Sequence, residues 1–135
     1  MIAAGYMDNE RLGQLVRKLA SQMEDDQVGF WKFEFEDRLV FVITDESHNR
    51  MRVMTPVIEV GEVPDEQMLT LMAANFDRAL DARYCVNGEF LWSAFIHPLQ
   101  ELSADQFVDA LNQVVTLSKN FGSSYSSSNL IFNSE

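Results

Sequence analysis

The sequence predicts an α+β fold, an antiparallel sheet with helices in the order α-β-β-β-α-β-β-α. Segments with helical spacing stand at the start, middle and end of the chain, and the β-branched and aromatic runs come in groups between them. Grouped strands of this kind belong to an antiparallel sheet rather than a doubly wound one. Two breaks in those runs, Glu36-Asp37 and Asn87-Gly88, also have hairpin character. A chain of 135 residues is about one domain long and buries roughly two thirds of the surface its unfolded form exposes, so one core forms without staples.

Leu12, Leu15, Val16, Leu19 and Met23 recur at helical spacing behind an Asp8 or Asn9 cap, which predicts a first helix over 9–25. "VGFWKFEFEDRLVFVIT" then reads as two strands broken at Glu36-Asp37. After the polar turn "DESHN", "RMRVMTPVIEV" reads as a third strand that tolerates Pro56 only at an edge, a bulge or its end. Pro64 and the carboxylates after it open the second helix. Its main stripe is Leu69, Met72, Ala73, Phe76, Ala79 and Leu80, widened by Met68 and Leu71, so it meets apolar surface on two sides. "YCVNGEFLWSAFIHP" forms a second hairpin across Asn87-Gly88. A capping box, Ser103 with Gln106, starts the last helix, which lays Phe107, Leu111, Val114, Ser118 and Phe121 along one face. These elements make a single domain over 1–121. Residues 122–135 form a serine-rich, disorder-prone tail whose Leu130, Ile131 and Phe132 could dock on a sheet edge or groove.

Composition narrows the function. A formal net charge of −11 repels phosphate backbones and anionic lipid heads, so nucleic acid and membrane surfaces are poor partners and basic or amphipathic ones suit better. The first 19 residues carry Asp8, Glu10 and Arg11 and no signal-like apolar run, and no stretch approaches a membrane span, which reads as a cytoplasmic protein. One cysteine and two histidines leave a Cys/His metal site short of ligands, and no glycine pattern matches a phosphate loop. No cofactor, metal or catalytic residue is expected.

The lone cysteine, Cys85, and His97 lie in the second hairpin but about seven residues apart along the strands, on the order of 20 Å, far beyond proton-transfer reach. Cys85 is then a small core hydrophobe sharing a face with Phe90, Trp92, Ala94 and Ile96, and His97 a structural residue on the other face. Asp45, Glu46 and His48 in one turn read as a turn first and as a metal or acid-base site second. Arg50 and Arg52 alternate on a strand and could present guanidinium forks on one face, but read first as a solvated face balancing the acidic surface.

Apolar excess is more informative. Trp31, Phe33 and Phe35 point one way on the first hairpin and Phe30 the other, and Leu39, Phe41 and Ile43 oppose Val40 and Val42, so both faces are apolar. Either the helices cover both faces, or one meets another subunit or a peptide.

An arginine-bearing strand running into Pro56, a helix carrying Asn75, a short strand at Ala82 to Val86, the Asn87-Gly88-Glu89 turn, and Pro98-Leu99 before "LSADQF" resemble the YbjN family. With helix one the likeness covers about residues 8–121. The family is similar in fold to type III secretion chaperones, and the resemblance implies that fold and a small, acidic, dimeric protein that holds a partner segment. It carries no catalytic motif. The resulting expectation is a non-enzymatic homodimer, chaperone-like or adaptor, with Met68, Leu71, Phe76 and Leu80 at the dimer interface. Trp31, Phe33 and Phe41 would line the patch for a protein or peptide client, held by strand addition. The alternatives are a small-ligand sensor or hydrolase using Asp45, Glu46, His48 and the arginines around a cavity, or a scaffold with no client.

Overall fold

The computed structural model describes residues 6–128. Helix α1 (Asn9–Leu19) starts at Asp8, whose carboxylate accepts the Arg11 N–H at 2.9 Å. It ends six residues short of the expected 25, and Gln22–Gln27 instead forms strand β1. A helical continuation would set Glu24, Asp25 and Asp26 at the negative end of the helix dipole. As a strand, they lie along a sheet edge in water.

Strands β2 (Phe30–Phe35), β3 (Arg38–Asp45), β4 (Arg50–Glu59), β5 (Arg83–Asn87) and β6 (Phe90–His97) complete one antiparallel sheet of six strands, ordered β1-β2-β3-β4-β6-β5. The element order is therefore the expected one with a strand added. Glu36 and Asp37 both have positive φ, 53° and 66°, as a two-residue type I′ turn requires. In the second hairpin the connecting pair is Gly88-Glu89 rather than Asn87-Gly88, with Gly88 alone at positive φ (63°). That sets Cys85 opposite Trp92 instead of Phe90, a shift of two residues that keeps each side chain on its face. Pro56 sits in interior strand β4 where the register with β6 shifts between Pro56 and Ile58, so its missing N–H falls at a bulge.

Helix α2 (Asp65–Asp77) follows Pro64, and α3 (Ala104–Lys119) is closed by the Ser103/Gln106 capping box in both directions, 3.0 and 2.8 Å. Helices α1 and α3 cover one face of the sheet. Leu12 and Val16 of α1 and Phe107, Leu111 and Val114 of α3 pack there against Trp31, Phe33, Val40, Val42 and Val53, all essentially inaccessible to water.

Residues 122–128 are not a loose tail. Ser127 Oγ accepts the Leu80 N–H at 2.6 Å, Asn120 Nδ2 donates to Ser126 O at 2.8 Å, and Gln67 Nε2 donates to the Tyr125 hydroxyl at 3.0 Å. They strap α2 from Gln67 in its first turn to Leu80 just past its end. Leu130, Ile131 and Phe132 lie outside the described residues.

Candidate partner-binding surface

Strand alternation puts Phe30, Phe41, Ile43, Met54, Trp92 and Ile96 on the sheet face that α1 and α3 leave bare. They line an open groove of about 520 Å³. Its aromatics meet edge to face: Phe30 and Phe41 have ring centroids 6.0 Å apart, Phe41 and Trp92 5.7 Å. Such contacts fix the rings and keep an apolar floor in place without burying it. Lys32 Nζ stands 5.7 Å from the Phe41 ring centroid and 4.0 Å from Glu24 at the groove margin. Arg52 lies between Ile43 and Ile96 on the neighbouring strands, and among the described residues it makes no ion pair or hydrogen bond.

The expected patch thus divides. Phe41 is in the groove, whereas Trp31 and Phe33 are 1% and 0% exposed under the helices and cannot face a partner. Trp31 pairs with Val42 and Phe33 with Val40, while Phe41 pairs with Lys32, so the two sets have opposite parity.

The α2 residues divide as well. Leu71 is 2% exposed and belongs to the chain's own core, with Met68 partly buried against it. Phe76 (91%) and Leu80 (51%) are exposed, and Leu69 (72%) and Met72 (67%) join them. The broad stripe faces water and the flanking residues pack, because Asn75 ties the opposite side of the helix to β5. Its carboxamide accepts from Tyr84 N at 2.8 Å and donates to Tyr84 O at 3.0 Å, replacing a neighbouring strand. In the sequence Asn75 stands out only as a point of likeness and as an amide within an otherwise apolar stretch of the helix.

The chemistry-bearing residues stay apart. Cys85 is exposed on the groove face rather than in the core, and partial desolvation there raises its thiol pKa, the opposite of an activated nucleophile. His97 is on the helix-covered side, stacked on Phe95 at 6.1 Å, with Nδ1–H donating to Pro98 O. Asp45 accepts from Ser47 Oγ at 2.7 Å and pairs with His48 Nδ1 at 2.8 Å, and these bonds, Ser47 first, hold its carboxyl down at about 2. Both side chains are solvated, Glu46 is exposed, and Arg50 turns to the Asn49 carbonyl, so the turn satisfies itself without enclosing a cavity. Among the described residues no group of three His, Cys, Asp or Glu is placed to hold a metal.

No protein-family model matches the sequence, and no curated protein matches it. Solved structures do. The HopA1-SchA chaperone-effector complex includes a chain with a TM-score of 0.62 at 10% identity, covering 82% of this chain and 88% of that one. The Yersinia pestis type III secretion chaperone SycH in complex with a stable fragment of YscM2 gives 0.61 at 13% identity, covering 84% and 98%. The ExsC-ExsE complex gives 0.62 at 13%, covering 84% and 92%. The chain has a type III secretion chaperone fold. At these identities the likeness concerns backbone architecture. Within that architecture the bare sheet face and the exposed side of α2 are this chain's own apolar surfaces.

Proposed function

We propose that the chain is a non-enzymatic protein-interaction module, chaperone-like or adaptor, that dimerises through α2 and holds a protein client on the bare face of the sheet. The observation that carries this is a groove of aromatic and aliphatic side chains left uncovered beside a complete core. An apolar face of this kind is stable in water only at a cost that a partner removes. Solved neighbours described as chaperones with bound partner proteins support the reading, as does the resemblance to the YbjN family. No helix among the described residues is long and apolar enough to cross a membrane, which agrees with a cytoplasmic setting.

Phe76 and Leu80, joined by Leu69 and Met72, form the dimer contact in this reading, and Leu71 and Met68 support it from within. Phe41 with Phe30 and Trp92 forms the client contact. Among the described residues β1 is one edge of the sheet, and at the other edge Asn75 already holds β5 at Tyr84, so the groove contributes through side chains. Light scattering on the wild type should give a dimer mass and on Phe76→Asp a monomer. An unchanged dimer, or a wild-type monomer, would overturn the α2 assignment. Client capture that survives Phe41→Ala with Trp92→Ala would overturn the groove assignment.

A further inference from the structure

We infer that the groove takes an amphipathic helix whose apolar stripe carries a carboxylate for Arg52. This rests on the reading of the bare face as a client site and names the client's chemistry. Three observations lead to it. First, the strands under the groove spend their backbone groups on each other, so a segment lying flat over Phe41 and Trp92 finds no ladder to join. A helix brings its backbone already satisfied and offers only side chains, the general way a sheet face is covered. The five strands β2 to β5 span about 19 Å, the length of about 13 helical residues.

Second, Arg52 is an exposed guanidinium in an apolar groove with no ion pair among the described residues, in a chain with 21 acidic and 10 basic residues. Carboxylates to neutralise it are abundant elsewhere on the surface and absent from the groove lining. Its fork suits a partner's carboxylate. Third, a second copy of this chain is a poor occupant. A two-fold contact through this face would press the Arg52 cations of both copies into one apolar interface with no carboxylate in its lining.

The test exploits a conflict of signs. Bulk charge, −11, favours a basic peptide, whereas Arg52 favours an acidic one. Three helical peptides of about 14 residues would share a leucine stripe at i, i+3, i+4 and i+7 and differ only in Glu, Gln or Lys beside it. Binding would be followed at physiological salt, where long-range repulsion is screened, through Trp92 fluorescence. Trp31 is buried, and Trp92→Phe provides the blank.

The Glu peptide should bind roughly three- to tenfold tighter than the Gln peptide. Arg52→Glu should reverse the order toward the Lys peptide, and Arg52→Met should erase the Glu preference, both with an unchanged circular dichroism spectrum. Equal binding of Glu and Gln peptides, or tighter Lys binding by the wild type, overturns the carboxylate assignment. The groove assignment survives that result only if Phe41→Ala still weakens binding of every peptide. Absence of binding by all three overturns both, and loss of dimer mass in Trp92→Ala hands the face to a second copy and overturns this proposal.

Discussion

Thr55 shows how finely the interior of the sheet is set. It lies fully buried in β4 opposite Ser93, whose hydroxyl donates to Val114 O at 2.9 Å, while Thr55 Oγ1 has no hydrogen-bond partner. A buried hydroxyl without a partner costs about 1–3 kcal/mol in desolvation, and valine has its shape without the polar atom. Thr55→Val should therefore stabilise the fold by about 1 kcal/mol. Urea unfolding would show a higher midpoint with an unchanged slope; a lower midpoint would mean that the hydroxyl is satisfied in solution. Residue identity alone does not disclose such a site. The period of two in "FWKFEF" and "RLVFVIT" correctly separates Trp31 and Phe33 from Phe30, and Phe41 from Val40. Which set meets α1 and α3 is decided by the helices' position, so the period could not prevent Trp31 and Phe33 from being grouped with Phe41.

At the scale of elements, legibility followed apolar periodicity. Helix α3, the start of α1 and the existence of both hairpins are readable because their apolar spacing or turn residues have few alternatives, although Asn87-Gly88 places the second turn one residue early. Strand β1, "QMEDDQ", has almost no apolar residue and exists through pairing with β2, and Met23 alone was enough to draw it into the preceding helix. Helix α2 is readable as a helix, but the sequence puts residues of both its apolar sides, Met68 and Leu71 with Phe76 and Leu80, at one interface, since burial there depends on Asn75 and on a segment 50 residues later. That segment, the 122–128 strap, supplies Ser127 and Ser126 to the chain just past the end of α2 and Tyr125 to Gln67 in its first turn. Truncation after Phe121 should loosen α2 selectively, raising its amide exchange by about tenfold or more while β2 to β4 keep their protection. Equal protection of α2 in the two forms would show that Leu71 and Asn75 hold it unaided.

At the scale of the whole molecule, charge and apolar surface oppose each other. Each copy carries −11, so the proposed dimer through Phe76 and Leu80 would form against mutual repulsion. Its dissociation constant should fall as salt rises from about 50 to about 300 mM, because screening shortens that repulsion and leaves apolar contact intact. Sedimentation at several salt concentrations checks this, and a constant that rises with salt would assign the dimer to ion pairs instead. The Asn75 amide has a consequence at this scale too. A sheet polymerises when one molecule's last strand is a template for the next molecule's first, and here the far edge is terminated at Tyr84 by a side chain. Contact of β1 with β5 is the head-to-tail geometry that would grow into a filament, and at Tyr84 it must displace the Asn75 amide. Contact of β1 with another β1 closes on itself after two copies and meets six carboxylates, from Glu24, Asp25 and Asp26 of each. The molecule can thus keep a wide apolar face open while a side-chain amide at one edge of its sheet and three carboxylates at the other oppose fibre growth.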